Sequence, residues 1–429
     1  MSASNQHPTI PPGSGALFFI QTFSTLGFAV LYSTLVLYAT KRLGFSESQA
    51  NAMMGVFGAF NYGLHLFGGY LGGRYLSNRN LFVMGMVLQV IGCYFIADMG
   101  ITGLYWGLAM FLTGSGLNVT CLNMMLTQRF APDDHRRESA FLWNYAGMNL
   151  GFFIGFTVAG YFQLTEDYRT LFLFATLGNI IAIIATFACW PILADISTPL
   201  RHVKGSGFYR RMLAGIAILA MLVPALRLLL THASFSGSFV LILGAVVLVL
   251  LCVMTARHPD AAERSRMVAY LILALGSLIF WSLYQLAPMG LGMLVLPIGI
   301  HLAGADGLVA FKWIAISYVL QSFGELLISP IGYAMIGKLA PASLQGLMMG
   351  CWMMVTGVAS VLAGYVSGAM PQNIGSTPVS TNPGYSSVFN MLGWGSLAGG
   401  VVLLLLVPRL RQLIASKITP PPAATAIPV

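Results

Sequence analysis

The amino-acid sequence predicts an all-α polytopic membrane protein built as two helical bundles, with about twelve transmembrane helices and no β-sheet. Three observations carry that prediction. Of the 429 residues, 57% are hydrophobic and only 8% are charged, with a mean hydropathy of +0.80, whereas a soluble chain carries about a quarter charged residues. The charges fall in short clusters between apolar runs long enough to cross a hydrocarbon core of about 30 Å. A span ending is also repeated: Arg129-Phe-Ala-Pro132 and Lys338-Leu-Ala-Pro341 are each followed by a tryptophan at the same offset, Trp143 and Trp352. Both copies then reach Ala-Gly-Tyr, at 159–161 and 363–365.

Residues 1–15 are polar, contain Pro8, Pro11 and Pro12 and carry no Lys or Arg. They are expected to be a disordered cytoplasmic N-terminus, without the basic start of a signal peptide. Spans near 16–40, 50–73, 80–98, 102–128, 138–163 and 170–194 form an N-terminal six-helix bundle over 16–194. A basic linker and a two-helix hairpin occupy 195–266, with spans near 212–231 and 237–256. The C-terminal bundle covers 267–415, with an apolar stretch at 267–304 and spans near 310–337, 343–369 and 387–408. Pro288, Pro297, Gly290, Gly292 and Gly299 interrupt the 267–304 stretch, which is read as one kinked crossing. Residues 416–429 form a Pro/Ala-rich tail expected to be disordered.

Charge parity selects this count. With one crossing at 267–304 and both termini inside, most of the 21 Lys and Arg fall in inner segments, as the positive-inside rule requires. Lys41, Arg42, Arg169 and Lys312 lie outside and Arg227 within a span. Two crossings at 267–304 would move Lys338, Arg409, Arg411 and Lys417 outside. Topology thus explains most of the net charge of +9, so no nucleic-acid partner is expected. Membrane lipid is the expected surrounding, with no obligate protein partner.

Five cysteines, Cys93, Cys121, Cys189, Cys252 and Cys351, sit in apolar runs at wide spacing, unlike a metal or disulfide framework. The sequence has no paired-carboxylate centre, no His cluster with ligand spacing and no phosphate loop. Neither an enzyme, a bound cofactor nor an ATP-driven pump is expected. Asp133-Asp134-His135 lies beside Arg136 and Arg137 and is read as a charge-paired turn between helices.

The chemistry concentrates on Glu325, a carboxylate inside the uncharged segment 313–336. An acidic residue at a bilayer centre costs roughly 2.5–3.5 kcal/mol on insertion scales, so it faces a bundle interior or an aqueous cavity. As a helix, the segment places Tyr318, Gln321, Ser322, Glu325 and Ser329 at spacings of three and four, on one stripe. Glu325 is read either as a substrate-amine or proton site, or as a gate residue bonded to a neighbouring span. Gln21, Ser24, Thr25, Phe28 and Tyr32 form a corresponding row on the first span. Asn149 is read as a substrate contact or as a hydrogen bond between helices. Trp281 and Trp352 are read as the floor of a side-chain pocket or as ordinary membrane aromatics. His65 is read as a hydrogen-bonded neutral histidine.

Several of these motifs resemble the proton-dependent oligopeptide transporter family of the major facilitator superfamily, over most of the chain. Gly324-Glu-Leu-Leu-Ile-Ser-Pro330, Lys338-Leu-Ala-Pro341 and Gly346-Leu-Met-Met-Gly-Cys-Trp352 are similar to the family's tenth core helix, the loop after it and the start of the eleventh. Ile279-Phe-Trp-Ser-Leu-Tyr-Gln285 resembles its seventh helix, Gly114-Ser-Gly116 its fourth and Gly147-Met-Asn-Leu-Gly151 its fifth. Gly68-Gly-Tyr-Leu71 with Arg74 resembles the loop after its second helix. The resemblance implies a two-bundle fold with the substrate site near the midplane between halves. It also identifies 212–256 with the extra hairpin that bacterial members insert.

The sequence departs from the family where the family carries charge. The first-helix Glu-x-x-Glu-Arg pattern is replaced by Gln21, Ser24 and Thr25, the fourth-helix lysine by Val119, and the acid of the loop after the second helix by Gly73. The resemblance also leaves the chain about two core helices short between 287 and 312: either 267–304 fuses parts of the family's seventh and ninth helices, or the hairpin takes over two positions.

Together these readings give a secondary transporter of small peptides, or a compact zwitterionic solute, working by alternating access in a bacterial inner membrane with both termini cytoplasmic. The expected partners are a di- or tripeptide-like substrate and protons coupled through Glu325. A same-fold facilitator or exchanger of another metabolite is the first alternative. A non-transporting receptor or scaffold is the second.

Overall fold

Within lipid every backbone polar group must be satisfied inside the chain, so apolar segments of this length fold as helices. The computed structural model describes residues 13–130, 134, 136–196, 198–284, 290–321, 339, 345–368 and 377–415. Among them the order is α1 (Ser14–Lys41), α2 (Glu47–Leu71), α3 (Asn78–Asp98), α4 (Gly100–Thr127), α5 (Arg136–Leu164) and α6 (Tyr168–Ala188). Next come α7 (Ser206–Thr231), α8 (Ala233–Arg257), α9 (Ala261–Tyr284), α10 (Gly290–His301), α11 (311–321), α12 (Gln345–Gly368) and α13 (Pro378–Ala415). A short 3-10 turn at Pro199–His202 lies between α6 and α7. The described residues contain no strand, only one isolated bridge between Gly72 and Leu76.

Local sequence sets the helix ends. Ser46 and Gln49 form a capping box at the start of α2, Ser77 caps α3 and Asp167 caps α6. Each supplies an acceptor for an N–H that has no partner within its helix. The sixth span was expected to reach 194, but α6 stops at Ala188. Pro191 lies just beyond, and its ring and missing N–H oppose further helix. In the 267–304 stretch, expected as one kinked crossing, the described residues form α9 up to Tyr284 and α10 from Gly290, with Gly290, Gly292, Pro297 and Gly299 inside α10; residues 285–289, with Pro288, lie outside the described residues. The 12 residues of α10 rise only about 18 Å.

Seven helices are apolar and long enough to cross a membrane, by length and composition, among the described residues. Their outer faces carry large exposed apolar side chains, including Met221, Leu228, Leu404 and Leu405. The chain is an integral membrane protein.

The helices gather around distinct cores. In the N-terminal bundle α1 packs on α5 and α6, α3 on α4 and α6, and α2 on α4. Val223, Leu226 and Leu230 of α7 join that core. A second core joins Leu251 of α8 to Tyr270 of α9, Trp352 of α12 and Leu410 of α13. The hairpin α7–α8 therefore straddles the two halves. Ala59 of α2, Val240 of α8 and Val361 of α12 form a small cluster where they meet.

The linker after α6 is stitched to the N-terminal bundle. Gly73 has φ +74°, and a Cβ there would stand 2.7 Å from Thr198 Cγ2, so the acidic side chain that the family resemblance leads one to look for has no room. A carboxylate arrives from elsewhere: Asp195 accepts from the Asn78 backbone N at 3.1 Å and from its Nδ2 at 3.0 Å. Leu200 N also donates to Gly73 O at 2.8 Å.

Candidate functional site

The first-span polar row is built by close helix packing. Gly147, Gly151 and Gly155 recur every fourth residue on α5 and let it lie directly against α1. A Cβ on Gly147 would stand 2.8 Å from Phe18 O, and one on Gly155 2.6 Å from Ala29 Cβ. Gln21, Ser24 and Thr25 are buried beside this seam. Gln21 Nε2 donates to Thr25 Oγ1 at 2.9 Å, and Ser24 Oγ donates to Gln21 O at 3.1 Å. Asn144 Nδ2 reaches Gln21 Oε1 at 3.5 Å, while its own buried Oδ1 has no hydrogen-bond partner among the described residues.

Asn144 is thus the α5 amide that meets the row. Asn149, expected on the basis of the sequence, is half-buried and donates to Tyr145 O of its own helix at 3.2 Å. The spacing carried a signal for Asn144: it precedes Gly147 by three residues and Gly151 by seven, which puts it on the α1-facing side.

Tyr32 lies two turns beyond Thr25. It stacks on Phe28 with ring centroids 5.4 Å apart, and Phe28 contacts Phe57 of α2 and Phe152 of α5. The polar row therefore runs into an aromatic cluster shared by three helices. On α2, Asn61 Oδ1 accepts from Ser115 Oγ at 2.7 Å. His65 is buried with Nδ1 on Gly116 O, the neutral, bonded role read from sequence.

In the C-terminal half, Gln321 Nε2 donates to Ser317 Oγ at 2.8 Å, and Ser317 Oγ donates to Gly292 O of α10 at 2.7 Å. Gln321 Oε1 is buried without a partner among the described residues. Tyr318, expected on the same stripe, is 63% exposed, so Ser317 takes its place beside Gln321. Trp352 is buried and packs against Tyr270 at 6.2 Å, whose hydroxyl donates to Met348 O. Trp281 lies on α9, with its side chain outside the described residues. Glu325, Ser322 and Ser329 also lie outside them.

Of the Asp133-Asp134-His135 run, Asp134 is paired with Arg136, and Asp133 and His135 lie outside the described residues. Arg136 Nη2 lies 2.7 Å from Asp134 Oδ2, and that pairing raises the Arg136 pKa.

Residues 17–305 match the family described as Major Facilitator Superfamily. The chain belongs to that superfamily. Residues 290–381 match the POT family. Similar proteins include dipeptide and tripeptide permease A of Citrobacter koseri, 26% identical over 490 residues, covering 96% of this chain and 97% of that one. Dipeptide and tripeptide permease B of Salmonella typhimurium is 26% identical over 469 residues, covering 93% and 95%. Both alignments run longer than this 429-residue chain, so these relatives carry positions that it lacks. A solved peptide transporter POT bound to sulfate shares the fold, with TM-score 0.76, 23% identity and coverage of 94% and 96%. A POT family transporter bound to 5-aminolevulinic acid gives TM-score 0.74, 21% identity and coverage of 93% and 97%. Like these relatives, the superfamily member described here is read as a transporter and not an enzyme.

Proposed function

We propose that this chain is a secondary transporter of di- or tripeptides, or of a similar compact zwitterion, in a bacterial inner membrane with both termini cytoplasmic. The observation that carries the reading is the POT-family match over residues 290–381, which includes Glu325, together with the permease relatives. Alternating access follows from two bundles that rock about a midplane site. Gln21, Ser24, Thr25, Tyr32, Asn144, Trp281, Gln321, Glu325 and Trp352 are the proposed lining, with Asn149 at its margin. The amide oxygens of Asn144 and Gln321, without a partner among the described residues, suit a substrate ammonium or peptide N–H, since a buried acceptor left unmade is costly.

Proton coupling is proposed to run through Glu325. A carboxylate in a closed, poorly hydrated site favours its neutral form, and opening to water or the approach of an ammonium restores the charge. Proton and substrate then compete for one group, which links them. The Gln21–Thr25–Asn144 network holds no titratable side chain, and this favours a gradient-independent facilitator as the second reading. Uptake of labelled dialanine into proteoliposomes tests the proposal. Saturable uptake that unlabelled tripeptide inhibits supports peptide transport, and uptake equal to that of protein-free liposomes contradicts it.

A further inference from the structure

Outside the proposed substrate path, the surface between α3 and α7 combines an apolar groove with a cationic rim. The groove has a volume of about 320 Å³ and is walled by Val83, Val87 and Leu88 of α3 with Ile216, Ala220 and Val223 of α7. Both helices begin at the same end of the bundle, because Gly215 packs against Tyr75 and Leu76 of the α2–α3 turn. At a rise of 1.5 Å per residue, the groove runs from roughly 7 to 18 Å inward of Arg211 along α7. That matches one leaflet, about half of a 30 Å hydrocarbon core.

The rim is positive and polar. Arg211 Nη1 donates to the Arg74 backbone O at 3.5 Å, and both charges act on Tyr75. The Arg74 guanidinium lies over the Tyr70 ring at 5.3 Å, and the Tyr70 and Tyr75 hydroxyls are 3.4 Å apart. That hydrogen bond raises the Tyr75 pKa, while Arg211 and Arg74 both pull it down. Arg201, Lys204 and Arg210 add charge, and the sequence holds no Asp or Glu between 196 and 259. Asp195, the nearest acid in the linker, is taken up by Asn78. A fully apolar wall topped by phenols and by arginines that make no ion pair among the described residues has the chemistry of a site for an anion carrying a hydrocarbon tail.

We propose that the α3–α7 groove and the Arg74–Arg211 pair bind one anionic phospholipid, with its phosphate at the two guanidiniums and an acyl chain along Val87 and Ala220. Basic side chains near an anionic membrane surface each add measurably to lipid attraction, and the groove makes that attraction specific to one position. The site does not depend on the transported solute.

Native mass spectrometry of the full chain in an uncharged detergent tests this, with phosphatidylglycerol, phosphatidylcholine of the same acyl chains, and inorganic phosphate in competition. The expected result is one bound phosphatidylglycerol, preferred over phosphatidylcholine by roughly tenfold or more, as two surface arginines would give. Millimolar phosphate should not displace it. The double variant Arg74→Gln/Arg211→Gln should lose the preference while still binding phosphatidylcholine. Ala220→Trp, which fills the groove, should weaken both lipids. Equal binding of the two lipids to the parent, or displacement by phosphate, overturns the proposal without any variant. A preference that survives both variants does so as well.

Discussion

Gly357 of α12 lies so close to Ala59 of α2 that a Cβ on Gly357 would stand 2.6 Å from the Ala59 carbonyl oxygen. This seam joins the N-terminal bundle to the C-terminal half. One turn along, Gly58 faces Ser360 at 3.4 Å, an ordinary contact for a methyl group. The two glycines therefore make opposite predictions. Gly357→Ala forces two backbones apart and should cost about 1–3 kcal/mol, as overpacking does, lowering the melting temperature and uptake together. Gly58→Ala should leave both unchanged. The pair is checked by melting in detergent and by uptake from the same preparations.

The polar row on α1 predicts a different pattern. Gln21→Leu leaves the Thr25 hydroxyl and the Asn144 amide without their partner, and stranded buried polar groups cost about 1–3 kcal/mol. The same variant should raise the apparent KM for a dipeptide several-fold. Asn149→Leu should change KM little, because Asn149 bonds within its own helix. Concentration-dependent uptake by both variants separates the two asparagine positions of α5.

Asp195 should matter for stability rather than for transport specificity. Asp195→Ala removes two acceptors from Asn78 and should cost about 1.5–3 kcal/mol, the range for hydrogen bonds to a charged group. The loss should appear as a lower melting temperature and earlier protease cleavage in the 195–205 linker, with KM unchanged.

Asp260 provides a pH test. It accepts from Glu263 N at 2.9 Å and Ala262 N at 2.7 Å at the start of α9. The Glu263 bond, with help from Ala262, holds its carboxyl below the usual carboxylate range. A depressed folded-state pKa means that the cap contributes above the unfolded-state pKa and is lost as pH falls through the folded one. Melting curves between pH 7 and pH 3 should therefore show an acid-side loss that Asp260→Asn flattens, since asparagine caps without titrating.

Much of the fold was legible in the sequence because its controlling signals are local. Apolar length located the helices, while the caps at Ser46, Ser77 and Asp167 are local chemistry that the sequence reading did not use. The 267–304 stretch was less legible, and its residues 285–289 lie outside the described ones. Proline and glycine interruptions mark a break, but charge parity counts only crossings and is silent about a short helix such as α10. The site was legible on α1, where Gln21, Ser24 and Thr25 share one face by periodicity alone. On α5 and α11 the hydrogen bonds beside the polar groups fall to Asn144 and Ser317, which the close approaches at Gly147 and Gly292 select, and those are tertiary facts. The substitution of Asp195 for a carboxylate at Gly73 was beyond sequence reading, since the two positions are joined only by the folded linker.

The most direct test of proton-coupled peptide transport compares dialanine uptake into proteoliposomes with and without an inward proton gradient, for the parent and for Glu325→Gln. Glutamine keeps the size and hydrogen bonding of the side chain but fixes the neutral state. The parent should accumulate dialanine above the external concentration only under the gradient. The variant should fold, insert and equilibrate substrate without accumulating it. An unchanged gradient response in Glu325→Gln would contradict coupling at this residue, and a parent with no gradient response would contradict coupling altogether.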